Sequence, residues 1–191
     1  MRKPKTDNEA LTALHEHALN VPKRTIYLFG DIDDESAATF IKNFTYLTGA
    51  ADEPIVIELM SPGGSVDAGM AIYDTITAAT AGGVDVFCKV RGEASSIACV
   101  ILQACSKRFV FKNATVMHHR GTVPTGEGSP EEQSTVAAYN NRQFDDIDEM
   151  VYNRVRYAYG GSLRKFRLDT TKAICMTGTE AVEAGFADFA L

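Results

Sequence analysis

The sequence predicts an α/β fold in which a largely parallel sheet is covered by helices. Three successive segments each have the pattern of a β-strand, a turn and an amphipathic helix. Parallel strands need a crossover of this kind, because a tight turn joins antiparallel strands only. With 191 residues, of which 45% are hydrophobic, the chain can form one domain with a sizeable core.

The first two units are the most regular. Residues 25–29 are rich in β-branched and aromatic residues, the turn Gly30-Asp31 ends them, and residues 33–47 carry apolar side chains at helical spacing. Residues 55–60 form the second predicted strand, and residues 65–79 form the second predicted helix. Both units therefore predict a strand followed by a helix that packs on the sheet.

The third unit is followed directly by more strands. It has a predicted strand over residues 84–90, a turn at Arg91-Gly92 and an apolar helix from about Ile97 to Ala104. Two further strand-like runs cover residues 108–111 and 114–119. The sheet is thus expected to continue beyond the three units.

The last third of the sequence predicts one long helix. Residues 121–130 are rich in Gly, Pro and Ser, which is typical of a loop. Residues 131–159 then carry a broken apolar stripe, which predicts a helix that projects from the domain and packs against a partner surface. A short helix near residues 179–184 and a short strand at 186–189 follow it.

The N-terminal residues differ from the rest of the chain. Residues 1–22, polar up to Ala10, are interpreted as a short helix or arm that ends at Pro22, ahead of a domain over residues 23–191. The first ten residues lack the apolar run of a signal peptide, and the longest apolar run, Ile97 to Leu102, is too short to cross a membrane. We therefore expect a cytoplasmic protein.

Composition excludes several other classes. The net charge is −6, with 19 Lys and Arg against 25 Asp and Glu and no long basic block, which argues against nucleic acid or an anionic membrane as the main partner. No Cys-x-x-Cys pair, zinc-ligand spacing or nucleotide-binding motif occurs, so no metal or cofactor is predicted. The cysteines lie in apolar stretches and are expected to be reduced core thiols: Cys88, Cys99, Cys105 and Cys175.

A pair of serines is the first candidate for chemistry. Ser95 and Ser96 follow a predicted strand and precede an apolar helix, so one hydroxyl lies at a helix N-terminus. A serine there can be a nucleophile whose developing oxyanion is bound by the next backbone N–H, that of Ile97. It can equally be an ordinary N-cap, and position alone favours the cap.

A glycine loop and a histidine doublet could complete such a site. Ser61-Pro62-Gly63-Gly64-Ser65 joins a strand to a helix, and its glycines leave backbone N–H groups free to bind an oxyanion or a substrate main chain, although the same string also suits a plain turn. His118 and His119 end a strand, so alternation lets only one of them face the site. That one can be the base for the serine, or it can simply be exposed.

The order of these motifs resembles a known family. They are similar to ClpP, the proteolytic subunit of the Clp protease, over about residues 24–191. The strings that carry the resemblance are residues 30–37 (GDIDDESA), 61–66 (SPGGSV), 68–75 (AGMAIYDT), 92–98 (GEASSIA) and 116–119 (VMHH). The resemblance implies a ClpP/crotonase-like ββα spiral with a protruding handle helix, in a handle region at about residues 121–160, and rings stacked around a chamber.

The resemblance also implies residue roles. The family's nucleophile falls on Ser96, its base on His119, and its oxyanion hole on the N–H groups of Gly64 and Ile97. The implied activity is that of an ATP-dependent Clp-type serine endopeptidase, which cuts unfolded polypeptides inside a homo-oligomeric chamber. An AAA+ unfoldase would feed that chamber.

The third member of the triad departs from the family pattern. A gapless alignment on Met176-Thr177 places the family's aspartate on Ala173, which has no carboxylate. Asp169 is the nearest acid and is our candidate, although it can instead cap the turn at Thr170-Thr171. A Ser–His dyad without an acid is the other interpretation.

Three other functions fit the same motifs. The chain could be a ClpP-like ring subunit that does not cut, or a head-maturation protease of a phage. It could also be a crotonase-type acyl-CoA enzyme, because the fold is shared and paired N–H groups can stabilise an enolate. The predicted Ser–His pair argues against this last function.

Overall fold

The computed structural model describes residues 17–50, 53–121 and 128–191, and these residues form eight strands and six helices. The strands are β1 (Leu19–Asn20), β2 (Thr25–Phe29), β3 (Ile55–Ser61), β4 (Val86–Ser95), β5 (Lys107–Val110), β6 (Thr115–His118), β7 (Ile174–Thr177) and β8 (Phe189–Ala190). The helices are α1 (Asp34–Ala50), α2 (Val66–Ala81), α3 (Ile97–Gln103), α4 (Pro130–Tyr159), α5 (Leu163–Thr170) and α6 (Gly178–Glu183). The predicted α/β class is confirmed.

The sheet is parallel through its centre. Its main order is β1-β2-β3-β4-β5-β8, with only β1 antiparallel to its neighbour. The strand β4 has two partners on the same edge: Phe87–Val90 pairs with β5, and Glu93–Ser95 pairs with β6. The strand β6 then pairs antiparallel with β7. This division of β4 brings the end of β6 beside the end of β4.

The predicted turn at Arg91-Gly92 was wrong. The strand β4 continues through these residues to Ser95. Its register with β3 shifts between Leu59 and Ser61, and the two strands pair again at Ser61 and Ala94. Gly92 has a φ of 70°, which a glycine adopts without steric cost, so the strand bends there instead of ending. A Gly in a strand marks a bend as readily as a turn.

The helix α2 packs closely against the first residue of α3. Ser65 caps α2 by accepting a hydrogen bond from the N–H of Ala68. A Cβ on Gly69 would lie 2.1 Å from Cγ1 of Ile97, so only glycine allows the two helices to approach at this point. The first residue of α3 is thereby held against α2.

The helix α4 is the long helix that the sequence predicts. Ser129 and Glu132 form a capping box at its N-terminus, and Gly160 ends it in the left-handed conformation. Its second half is packed on the domain through Phe144, Ile147, Val151 and Val155, whereas its first half is exposed. Within the described residues, neither α4 nor any other helix is both long and apolar enough to cross a lipid bilayer.

Several predictions of detail differ from the structure. The helix α5 and the strands β1 and β7 were not predicted, and the final strand is shorter than expected. The strand β1 lies within the predicted arm of residues 1–22 and belongs to the sheet, while the predicted helix at residues 10–14 lies outside the described residues. Cys175 is exposed, contrary to the prediction of a core thiol, and the other three cysteines are buried.

Candidate active site

Ser96 occupies a strained turn between β4 and α3. Its φ of 57° and ψ of −126° lie outside the regions that a serine ordinarily adopts. Its side chain makes no capping hydrogen bond, so the N-cap interpretation, which position alone favours, does not apply here. Backbone strain of this kind persists only where the surrounding structure imposes it, and it presents the hydroxyl of Ser96 at the C-terminal end of β4.

The side chain of His119 is hydrogen-bonded to that hydroxyl. The distance from Ser96 Oγ to His119 Nε2 is 2.8 Å, which is a hydrogen bond. Pairing of β4 with β6 brings the two residues together, because the N–H of Ser96 donates to the carbonyl of Met117 at 2.8 Å. Of the two histidines, His119 therefore faces the serine and His118 faces away from it.

The environment of His119 favours its neutral form. Burial lowers the pKa of His119, and the nearby charge of His118 lowers it further. A neutral imidazole with an unprotonated Nε2 can accept the proton of the Ser96 hydroxyl. The pair is thus in the protonation state that general-base chemistry requires near neutral pH.

The glycine loop lies against the serine. Gly63 and Gly64 have φ values of 103° and 149°, and a Cβ on Gly63 would lie 2.7 Å from Cβ of Ser96. The carbonyl of Gly63 and the N–H of Ser65 both pair with Ile32. Because successive groups of extended backbone point in opposite directions, the N–H of Gly64 is directed away from Ile32.

Two backbone N–H groups are therefore free near Ser96. Among the described residues, neither the N–H of Gly64 nor that of Ile97 donates a hydrogen bond. The N–H of Ile97 is one of the unpaired groups at the start of α3. Donors of this kind can bind the oxyanion of a tetrahedral intermediate.

An apolar cavity of about 20 Å³ adjoins the pair. Val66 from α2, Val100 from α3, and Phe144 and Ile147 from α4 line it together with Ser96 and His119. Gly121 allows the ring of Phe144 to enter, because a Cβ there would lie 2.4 Å from the ring. The site thus has a small apolar recess beside the nucleophile.

His118 belongs to a second, buried polar cluster. Its Nε2 donates to Asp148 Oδ1 on α4 at 3.0 Å, and its ring stacks on Phe166. The other oxygen of Asp148 accepts from Thr170 at 3.2 Å and from Arg120 at 3.4 Å. This cluster ties the end of β6 to α4 and α5.

The structure does not bring Asp169 to His119. The Asp169 carboxylate accepts hydrogen bonds from the Tyr159 hydroxyl and the Lys165 ammonium. Lys165 first, and then Tyr159, lower the pKa of Asp169. In the part of the chain that the structure describes, Nδ1 of His119 has no hydrogen-bond partner, so the expected contact with Asp169 is not formed.

Sequence reasoning missed the cluster around Asp148. Asp148 lies between Phe144 and Val151 at the spacing that places all three on the buried side of α4. A carboxylate on the apolar stripe of a helix is rare unless it is paired, and that was the available signal. The partners Arg120 and Thr170 could not be assigned to it, because α5 was not predicted.

The site and fold together define a class of protein. A serine hydroxyl bonded to a neutral histidine, beside two free backbone N–H groups in an α/β domain, is an arrangement that can attack a carbonyl carbon and bind the resulting oxyanion. Hydrolases that act on acyl groups use this arrangement on several unrelated folds. The class alone does not define the substrate.

Comparison with known proteins defines the family. The Clp protease family model matches residues 10–190. The chain is 32% identical over 168 residues to an ATP-dependent Clp protease proteolytic subunit of Streptococcus pneumoniae, covering 86% of this chain and 83% of that protein. It is 28% identical over 168 residues to the protein of the same name from Carsonella ruddii, covering 87% and 82%. The chain belongs to the Clp protease family and is a ClpP-like protease.

Proposed function

We propose that the protein is a serine endopeptidase that cuts unfolded polypeptides inside an oligomeric chamber. The single observation that supports this function best is the 2.8 Å hydrogen bond between Ser96 Oγ and His119 Nε2. The free N–H groups of Gly64 and Ile97 complete the set of groups that acyl transfer requires.

The reaction would follow the serine hydrolase sequence. Ser96 Oγ attacks the peptide carbonyl carbon while His119 Nε2 takes the hydroxyl proton, and the N–H groups of Gly64 and Ile97 bind the oxyanion. His119 then gives the proton to the leaving amine as the C–N bond breaks. A water molecule, deprotonated by the same histidine, hydrolyses the acyl-enzyme and releases Ser96.

The acid partner would be absent, so the machinery is a dyad. A carboxylate on Nδ1 normally fixes the histidine tautomer and stabilises the imidazolium. Ala173 occupies the position that the family resemblance assigns to that carboxylate, and Asp169 is bound to Tyr159 and Lys165. This is also the observation that favours a second candidate, a ring subunit with little or no peptidase activity.

Self-association is supported by the first half of α4. Val136 and Tyr139 are 52% and 58% exposed on a helix segment that has no packing partner within the described chain. Exposed apolar side chains on such a projecting helix are typical of an interface. The related proteins from Streptococcus pneumoniae and Carsonella ruddii are named as subunits, which agrees with a ring assembly.

An AAA+ unfoldase is the proposed partner. The relatives are named as ATP-dependent, while this sequence has no nucleotide-binding motif, so ATP would be hydrolysed by a separate protein. Phe29 and Met60 lie opposite each other on β2 and β3 and are exposed, which leaves an apolar surface for a partner.

Hydrolysis assays of matched serine variants test the proposal. We expect the wild-type protein to cleave a fluorogenic peptide and unfolded casein, and Ser96→Ala to lose both activities by several orders of magnitude. Ser95→Ala is the matched control, because the Ser95 hydroxyl is bonded to Glu93 rather than to His119. Activity that survives Ser96→Ala and disappears in Ser95→Ala would overturn the assignment of the nucleophile.

A further inference from the structure

Asp148 is a buried carboxylate that holds both chain neighbours of His119. It projects from α4 and is 1% exposed, as is His118. Its Oδ1 accepts from Nε2 of His118 at 3.0 Å, and its Oδ2 lies 3.4 Å from the guanidinium of Arg120, which also donates to Asp145 at 2.7 Å. One carboxylate therefore contacts the residue before His119 and the residue after it.

Thr170 on α5 is also bonded to the segment that carries His119. Its hydroxyl has two acceptors within reach, the carbonyl of Arg167 at 2.9 Å and Asp148 Oδ2 at 3.2 Å, and its own carbonyl accepts the backbone N–H of Arg120 at 2.9 Å. The backbone on the C-terminal side of His119 is thus linked to Asp148 through Thr170 as well as through the Arg120 side chain. Within the described residues, no hydrogen bond joins this cluster to the His119 ring itself.

Asp148 is the hydrogen-bonding partner that orients the His118 ring. Among the described residues, Nδ1 of His118 is buried without a hydrogen-bond partner, so Asp148 supplies the ring's one hydrogen bond. Phe166 stacks on one face of the ring, but stacking does not fix the direction of the ring nitrogens as a hydrogen bond does. Loss of the Asp148 carboxylate would leave the buried ring of His118 without its acceptor, whereas the Thr170 hydroxyl would keep the carbonyl of Arg167.

The His119 ring has one anchor of its own, the Ser96 hydroxyl. Its Nδ1 has no partner in the described part of the chain, and Asp169 is bound elsewhere. A ring held at one nitrogen can rotate or shift unless the backbone that carries it is fixed. Catalysis by such a ring is sensitive to displacements of about 1 Å.

We propose that Asp148 is a positioning residue that holds His119 in place by fixing His118 and Arg120. The inference rests on the proposed serine peptidase function. Asp148 takes over, from a different helix and through the backbone, part of the orienting role that a carboxylate on Nδ1 has in a triad. The base of α4 is thereby part of the catalytic machinery, although no atom of α4 bonds to His119.

The test is the change of Asp148 to asparagine, with Glu149→Gln as its matched control. Glu149 is the next residue on α4, is exposed, and contacts Arg167 rather than the cluster. We expect Asp148→Asn to lower kcat by about 100-fold with KM within about twofold of wild type. We expect Glu149→Gln to change neither constant.

The value of kcat should be calculated per reactive subunit, not per protein chain. Titration with a fluorophosphonate gives the fraction of subunits whose serine can react, and kcat is divided by that fraction. A purely structural defect lowers the number of reactive subunits and leaves kcat per reactive subunit unchanged. A loss of that kind, or an unchanged kcat in Asp148→Asn, would overturn the proposal.

A second variant keeps the test valid if Asp148→Asn fails to fold. Thr170→Val removes the hydroxyl that lies 3.2 Å from Asp148 Oδ2 and 2.9 Å from the Arg167 carbonyl, and it leaves the side chains of Asp148 and Arg120 in place. We expect it to lower kcat per reactive subunit by about threefold to tenfold, and an unchanged value would count against the positioning role. An inactive wild-type protein that does not react with the fluorophosphonate would instead refute the proposed function itself.

Discussion

His118 pairs with Ile174, the residue after Ala173, at the end of the antiparallel ladder that joins β6 and β7. The last pair of that ladder is His118 with Ile174, and the pairs before it are Met117 with Cys175 and Val116 with Met176. The ladder ends there, because Ala173 has a φ of 65° and the N–H of Arg120 donates to the carbonyl of Thr170 instead of continuing the register. Ala173, where the family resemblance expects an acid, is thus the chain neighbour of the residue that pairs with His118, and it has no carboxylate.

Ala173→Asp should raise peptidase activity. Ala173 has a φ of 65°, a conformation that aspartate tolerates better than most residues. A carboxylate there can accept a hydrogen bond from Nδ1 of His119 and stabilise the imidazolium, so we expect kcat to increase by about tenfold or more. Ala173→Asn is the isosteric control without the charge, and equal activity of the two variants would contradict the explanation.

Asp169→Asn should have little effect on hydrolysis. The Asp169 carboxylate is bonded to Tyr159 and Lys165 and does not contact His119. We expect kcat within about twofold of wild type, since the change removes no group of the dyad. Steady-state kinetics on a fluorogenic peptide measure this, and a loss of several hundredfold would restore Asp169 to a triad.

Activity should persist to a lower pH than an ordinary histidine base allows. Burial, and then the charge of His118, lower the pKa of His119 below its usual value of about 6.5. The base works when neutral, so activity is present above the pKa of His119 and is lost as the pH falls through it. The measurement is kcat/KM between about pH 4.5 and 8, and an acidic limb centred at or above 6.5 would be inconsistent with this environment.

The first half of α4 should hold subunits together. Val136 and Tyr139 are exposed on it, so we expect the wild-type protein to sediment as an oligomer, far above the 20.7 kDa of one chain. The double change Val136→Ser and Tyr139→Ser should shift it toward smaller species. Tyr157→Ser, which alters an exposed residue near the other end of α4, is the control. A wild-type monomer at micromolar concentration would remove the chamber from the proposal.

Local patterns predicted most of the fold, because its elements are regular. The three strand-helix units have clear apolar periodicity; the first two appear at nearly the predicted bounds, whereas the strand of the third continues to Ser95. The errors occur where tertiary contacts decide the conformation. Gly92 continues a strand because β3 and β6 hold both sides of β4, and α5 is a short polar helix with only two buried side chains, those of Phe166 and Thr170.

The candidate site was predicted in part for a similar reason. Ser96 and His119 could be paired because Ser96 follows one predicted strand, His119 ends another, and the ends of parallel strands meet at one edge of a sheet. The choice of Asp169 as the acid depended on the shape of the segment between α5 and β7, which spacing alone does not define. Asp148 approaches the site from a helix that lies far away in sequence, so no local pattern connects it with His119.

Mass spectrometry after fluorophosphonate labelling tests the central claim most directly. The claim is that the Ser96 hydroxyl, activated by His119, is the nucleophile of a ClpP-like serine peptidase. We expect one adduct per reactive subunit, located on Ser96 in the wild-type protein and in Ser95→Ala, and no adduct in Ser96→Ala. A wild-type protein that gains no adduct, or one that is modified at a residue other than Ser96, would contradict the account.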